Sequence, residues 1–322
     1  MTGRGGAAVA GIEFEHGLAE IGDGLWAYLQ PDGSWGWSNA GLVAGEGRSL
    51  LVDTLFDLPL TRAMLDSMDS ITTTRPIQTL VNTHANGDHC YGNQLVPDAE
   101  IVATEGCLEE FSEVPAGALT AMVAADFGDP VVNDYIRAAF GPFDFGGIVA
   151  TPPTRVFADR LDLTVGGRAI ELIDVGPAHT LGDLVVHVPD ARTVFTGDIL
   201  FVYGTPIVWA GPVDNWVRAC DLILELGAEV IVPGHGPVTD ERGPTMVRDY
   251  LTFVQREATE RRNAGMTAAE AAHDIDLGEF GEWTDSERLA VNVHAVYADL
   301  DPAYVPPDLM QLVREMAHLA RR

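Results

Sequence analysis

Apolar and polar positions alternate in short runs over the first fifty residues. Between Leu18 and Asp53 three apolar stretches, Gly24–Leu29, Asn39–Val43 and Ser49–Val52, are separated by glycine-rich turns. That pattern predicts meandering antiparallel strands. Leu58, Met64, Leu65 and Met68 then fall at helical spacing, and Ile77–Val81 reads as a short buried strand. A further strand is expected at Glu100–Ala103. Residues 105–147 differ in character, being apolar, partly helical and broken by Pro115, Pro130 and Pro142. Strands return at Ala169–Asp174, Leu184–Val188 and Thr193–Thr196, followed by a helix near Trp216–Leu226 and a strand at Val230–Val232.

Beyond Pro237 the pattern is helical. Thr267-Ala-Ala-Glu270 and Thr284-Asp-Ser-Glu287 both match the S/T-x-x-E capping box, in which hydroxyl and carboxylate satisfy the first free N–H groups of a helix. Leu289, Val293, Val296, Tyr297 and Leu300 share one helix face, which must pack on the chain's own core or on a second subunit. The element order suggests a two-sheet sandwich flanked by helices, with an α-helical appendix at the C-terminus. The expected organisation is a sandwich over residues 12–240, an insertion at about 105–150 and a helical extension over 241–322. No 20–50-residue repeat and no low-complexity run interrupts it.

Composition narrows the chemistry. The 322 residues suffice for one large or two modest domains, and 47% apolar content suits a globular core. The 19 cations are all arginine, against 48 acids, for a net charge of −29. Without lysine the chain has no Schiff-base amine and no phosphate-loop lysine. The acid excess argues against nucleic acid and against anionic membrane surfaces. Cys90, Cys107 and Cys220 are odd in number and lack CxxC spacing, so no disulfide framework is expected. Met1–Gly17 lacks the apolar core of a secretory leader, and no stretch has the length of a membrane span. A cytoplasmic protein is therefore expected.

The informative segment is Val81-Asn-Thr-His84-Ala-Asn86-Gly-Asp88-His89-Cys90. Downstream come His179 in Pro-Ala-His-Thr, Asp198 in Thr-Gly-Asp and His235 in Gly-His-Gly. Each follows a predicted strand beside Gly or Pro, where a loop can aim it across a sheet edge. Four of the nine histidines stand at such turns with aspartates between them. A metal site is the reading these residues favour, since imidazole and carboxylate are zinc ligands.

This order, H-x-x-x-D-H, then His, then Asp, then Gly-His-Gly, resembles the metallo-β-lactamase superfamily over roughly Leu18–Val238. The resemblance implies an α/β fold, an αββα sandwich with a metal centre at one edge, usually of two zinc ions. Carried over by position, His84 and His179 would serve one ion, Asp88, His89 and His235 the other, with Asp198 bridging. Aspartate at 198 is similar to the glyoxalase II and lactonase branches. Asn86 departs from the usual H-x-H-x-D-H. A neutral amide is a poor zinc ligand, so one tight Zn2+ and a weak or absent second are expected.

Zinc lowers the pKa of its bound water toward neutrality, which makes hydroxide the expected nucleophile. Asp88 or Asp198 would orient it, Asn86 would polarise the attacked carbonyl, and Tyr203 would donate a proton. Trp35, Trp37, Phe140 and Trp209 are the candidate substrate wall, with the insertion as a lid over a bulky apolar small molecule. Cys90 is expected to be a core thiol, and His16, His187, His273, His294 and His318 to be structural or surface residues. The leading expectation is a zinc-dependent hydrolase of a thioester, ester or lactone. An aromatic polyketide cyclase or thioesterase of the same fold, and a non-catalytic small-molecule binder, are the alternatives. Homo-oligomerisation is left open.

Overall fold

The computed structural model describes residues 11–111 and 113–321. The leader reading of Met1–Gly17 falls largely on residues 1–10, outside the described residues. No described helix is long and apolar enough to cross a membrane.

Two sheets face one another. The first runs in sequence order through β1 (Gly17–Gly22), β2 (Leu25–Leu29), β3 (Ala40–Ala44), β4 (Ser49–Val52), β5 (Ile77–Val81), β6 (Glu100–Thr104) and β7 (Arg155–Phe157). Its first four strands are antiparallel, as the meander predicts, and β4 to β7 are parallel. The second sheet contains β8 (Arg160–Val165), β9 (Arg168–Asp174), β10 (Leu184–Val188), β11 (Thr193–Phe195) and β12 (Val230–Val232). It is antiparallel except where β12 adds parallel to β11. Among the described residues ten helices accompany the sheets: α1 (Leu58–Thr72), α2 (Gly87–Cys90), α3 (Glu105–Glu110), α4 (Ala116–Ala124), α5 (Pro130–Phe140), α6 (Val213–Glu225), α7 (Arg242–Asn263), α8 (Ala268–Asp274), α9 (Leu289–Leu300) and α10 (Leu309–Leu319).

Side-chain alternation sorts the layers. Leu184, Val186 and Val188 of β10 meet Leu25, Leu29, Val43 and Val81 between the sheets. Val185, the odd member, faces out into the core formed with α6 to α9. On the other side Leu42, Leu51 and Leu80 pack against Met64 and Met68 of α1. Both faces of both sheets are thus covered, and this explains why every position of β3, β4 and β10 is buried and nearly every one apolar, Ser49 and His187 being the exceptions.

The C-terminal helices are continuous with the sandwich rather than a separate unit. Trp216 of α6, Tyr250 and Leu251 of α7 and Val293 and Val296 of α9 share one buried cluster with Val185 and Ile231 of the second sheet. The apolar face of α9 therefore packs on its own chain through Leu289, Val293, Val296 and Tyr297, whereas Leu300 at its end is exposed. The insertion is tied down as well: Val132 and Ile136 of α5 join that cluster, while Leu119, Phe143 and Phe145 join Phe56.

Thr267 caps α8 in the box expected, with Glu270 reaching back to the Thr267 N–H. The second predicted box does not form. The Thr284 N–H is bonded to Tyr203 O, Asp285 takes a left-handed φ of 58°, and Glu287 is buried, where it accepts the Tyr135 hydroxyl at 2.9 Å. Tertiary partners of these groups outcompeted the local cap.

Candidate metal centre

The chain direction of the strands gathers the site. In the second sheet β9, β11 and β12 point the same way, so the turns leaving them emerge at one edge. These turns carry His179, Asp198 and His235. Parallel β4 and β5 end together on the first sheet, and deliver Asp53 and His84 to the same edge. After His84 the single turn of α2 adds Asp88 and His89. Gly234, beside His235, has no alternative: a Cβ there would collide with Asp198 Oδ1 and the backbone of Gly197.

Two ligand groups result. His84, His179 and Asp198 form one, Asp88, His89 and His235 the other, with the donor atoms of each within 4.8 Å of one another. Asp198 connects them: its carboxylate lies 3.0 Å from His89 Nε2, 3.4 Å from His179 Nε2 and His235 Nε2, and 3.7 Å from His84 Nε2. Asp88 is 3.3 Å from His235 Nε2 and 3.9 Å from His89 Nε2. All six residues predicted as ligands are brought together.

Each histidine is aimed by its other nitrogen. His89 Nδ1 donates to Asp53 at 2.9 Å, His179 Nδ1 to Ile207 O at 2.7 Å, His235 Nδ1 to Gly33 O at 3.0 Å and His84 Nδ1 to Thr83 Oγ1 at 3.0 Å. Every Nε2 thereby faces the interior of the cluster, where its lone pair, once free of a proton, is placed as in an imidazole that binds metal. His84 Nε2, His89 Nε2 and Asp198 Oδ1 are buried with no hydrogen-bond partner among the described residues. Buried polar atoms without partners are costly, and a divalent cation satisfies them. The donor set fits zinc.

Charge coupling without metal follows the same geometry. Burial works against a charge on His89, but Asp198, Asp88 and Asp53 together outweigh it and hold its pKa well above the usual histidine range. Burial opposes the His235 charge too, and Asp198 and Asp88 raise it to about 9. His84 is pushed well down, by burial and then by the charge on His89. Burial would raise Asp198, yet His89, His235 and His84 hold it well below the carboxylate range. Cation uptake must displace protons from His89 and His235, so it competes with acid.

Asp53 is the functional residue that sequence reasoning missed. It is buried at a left-handed φ of 61° and accepts the Thr83 N–H at 2.7 Å, the Thr83 hydroxyl at 2.7 Å and His89 Nδ1–H. Its only sequence signal was an aspartate closing the apolar run Leu50-Leu51-Val52. Asn39 and Ser38 also act at a distance: the Asn39 amide donates to Pro233 O and Gly236 O across the His235 turn, and the Ser38 hydroxyl to Asp88 O.

A cavity of about 380 Å3 opens over the ligands. Asn86, Asp88, His179, Asp198 and His235 form its polar end, and Trp35, Met122, Phe140 and Trp209 are among its apolar walls. The Asn86 amide donates to His179 Nε2 at 3.2 Å, so it covers the lone pair that a metal would use. Two expected residues are not brought to the cavity. Trp37 turns into the aromatic cluster, 4.9 Å from Phe143, on the far side of Gly36. Gly36 has φ 74°, and a Cβ there would strike Phe56, so the chain reverses between the two tryptophans. Tyr203 is 46% exposed at φ 61° and outside the lining. Cys90 is buried, donates to Ala85 O at 3.4 Å and has its pKa pushed far up by burial, as a core thiol should.

A two-sheet sandwich with paired His/Asp groups on one edge defines a class. The chain belongs to the metallo-β-lactamase superfamily, whose description matches residues 33–235. It is 26% identical over 255 residues to the linear primary-alkylsulfatase of Pseudomonas sp. (strain ATCC 19151), covering 71% of this chain and 48% of that protein. The 2,4-dinitroanisole O-demethylase subunit alpha of Nocardioides sp. (strain JS1661) is 25% identical over 200 residues, 60% of this chain and 51% of its own. The stereoselective inverting sec-alkylsulfatase Pisa1 from Pseudomonas sp. shares the fold with a TM-score of 0.67 at 20% identity, over 91% of this chain and 52% of its own. The chain spans about half the length of these relatives.

Proposed function

We propose that this chain is a metal-dependent hydrolase that cleaves a thioester, ester or lactone carbonyl on a bulky apolar small molecule. The observation that carries the reading is the cavity: polar at the ligand end and walled by aromatic and aliphatic side chains elsewhere. When bound at these ligands, zinc supplies Lewis acidity and a low-pKa water. The chain's own groups do the rest. Asp88, held ionised by His89 and His235 against the cost of burial, accepts a proton at its carboxylate. Asn86 offers its side-chain N–H2 to the substrate oxygen, and Trp35, Phe140 and Trp209 hold the carbon skeleton.

The second reading is a sulfuric-ester hydrolase, favoured by the likeness to the two alkylsulfatases. One panel separates them: acyl thioesters, aryl esters, lactones and alkyl sulfates of matched chain length, with zinc-loaded and chelated protein. Carbonyl cleavage that stops on chelation and returns with zinc is the expected result. Sulfate release alone selects the second reading. Activity that survives chelation overturns both, and inactivity of loaded protein on the whole panel leaves a small-molecule binder.

Asn86 makes the stoichiometry testable. With its amide on His179 Nε2, the group containing His89 and His235 is the tight site. Asn86→His is expected to raise bound zinc from about one to about two equivalents and to lower turnover, because an added ligand replaces the amide donor. Metal analysis with steady-state rates checks this. A wild-type chain that retains two equivalents through mild chelation would be incompatible with it.

A further inference from the structure

Arg288 and Trp35 stand in the cavity wall away from the ligands, and neither completes its hydrogen bonding. The guanidinium carbon lies 4.2 Å from the centre of the Trp35 ring system, and Arg288 is only 2% exposed. Its Nη1 donates to Thr205 O at 2.9 Å, and its Nη2 is 3.1 Å from Asp285. Arg288 Nε and Trp35 Nε1 are both buried with no acceptor among the described residues. Both side chains line the cavity. One aromatic ring separates them from the ligands: the guanidinium sits 5.3 Å from Phe201, which stacks on His235 at 5.0 Å.

From these two unpartnered donors we infer a second polar subsite that binds an uncharged oxygen acceptor of the ligand, a ketone, amide or phenol oxygen remote from the reacting bond. A buried donor left unpaired costs more than a made hydrogen bond returns, so a ligand that brings an acceptor is strongly preferred over its hydrocarbon analogue. Charge decides the class of acceptor. The Arg288 cation is already balanced by Asp285, whose other oxygen accepts the Ser34 hydroxyl at 2.7 Å, and the carboxylate of Glu287 is adjacent, on the Tyr135 hydroxyl. A carboxylate or sulfate at this place would meet two acidic groups with no unpaired cation, and Asp285 Oδ2, itself buried without a hydrogen-bond partner, would repel it; an uncharged oxygen acceptor carries no such charge and can take up the Arg288 and Trp35 N–H groups. Glu110 and Glu113 also line the cavity and again disfavour an anion. The substrate class is accordingly an apolar skeleton that carries an oxygen acceptor, rather than a plain alkyl chain. This rests on the cavity being the substrate site.

Unreactive probes keep the test independent of the hydrolase reading. Dissociation constants of 1-tetralone, tetralin and tetralin-2-carboxylate are measured by ligand-observed NMR on the zinc-loaded chain. Tetralone is expected to bind about tenfold more tightly than tetralin, the worth of about one satisfied buried donor, and the carboxylate no better than tetralin. Trp35→Phe keeps the ring and loses only the N–H; Arg288→Met loses the guanidinium. Each should bring the tetralone-to-tetralin ratio toward one, whatever it does to tetralin itself, while His235→Ala should leave the ratio intact. A ratio near one in the unaltered chain overturns the inference. So does a ratio that survives Trp35→Phe and Arg288→Met, a ratio lost in His235→Ala, which would put the ketone on the metal, or preferred binding of the carboxylate. Should Arg288→Met fail to fold, Trp35→Phe alone decides.

Discussion

Asp198→Ala is expected to lower kcat/KM by about 10^3-fold and to empty both ligand groups. Among the described residues Asp198 is the carboxylate that lies within 3.7 Å of the Nε2 atoms of His84, His89, His179 and His235. Its loss removes a ligand from the group of His84 and His179, and the counter-charge that balances His89 and His235 in the other. A bound cation contributes several kcal/mol to transition-state stabilisation; about 4 kcal/mol corresponds to about three decades in rate. Elemental analysis and steady-state kinetics on the proposed substrates check it. A variant that keeps its metal and turns over within about tenfold of the parent would remove Asp198 from the centre. Near-ultraviolet circular dichroism shows whether the fold persists, as Gly234 packs directly on this carboxylate.

The second large effect is expected at Asp53, which touches no predicted ligand atom that faces the metal. It accepts His89 Nδ1–H at 2.9 Å and fixes which nitrogen of His89 presents its lone pair. Outer partners of metal-bound histidines are worth about 10–100-fold in metal affinity. Asp53→Asn is the clean test, because asparagine tolerates the left-handed φ of 61° that alanine would adopt only under strain. Its amide puts a donor against a donor at His89 Nδ1, or turns away and leaves Nδ1 unpaired. Zinc affinity should fall by about 10–100-fold. Asp53→Ala should add a stability loss of about 3 kcal/mol, since it also strands the buried Thr83 N–H and hydroxyl. Competitive chelator titration and thermal unfolding separate the two contributions. Unchanged zinc affinity in Asp53→Asn would show that His89 is oriented by its other contacts.

Much of the site was legible because its residues lie at strand ends. Glycine and proline around His179, Asp198 and His235 mark turns, and a turn after a strand can present only a few side chains outward. Strand limits such as Leu184–Val188 and Val230–Val232 were readable for the related reason that both strands are short, mainly apolar runs between turn residues. The Thr284 capping box failed because the same hydroxyl-to-carboxylate spacing has several local uses, and a bridge to Gly204 claimed the backbone first. Trp37 was misjudged because two tryptophans two residues apart look alike in sequence, whereas the left-handed Gly36 sends them to different clusters.

By itself the sequence determined the candidate ligand residues and their place at strand ends, the variant Asn86 and the exclusion of lysine chemistry. Each of these is written in short segments whose order along the chain is enough to recognise them. Only the tertiary structure decided which residues aim those ligands and what shapes the cavity. Asp53 reaches His89 across 36 positions and Gly33 reaches His235 across 202. Trp35 meets Arg288 only because the C-terminal helices fold back onto the second sheet. Contacts of that separation leave no periodicity in the chain, because they are fixed by the packing of whole layers and not by the neighbours of any one residue.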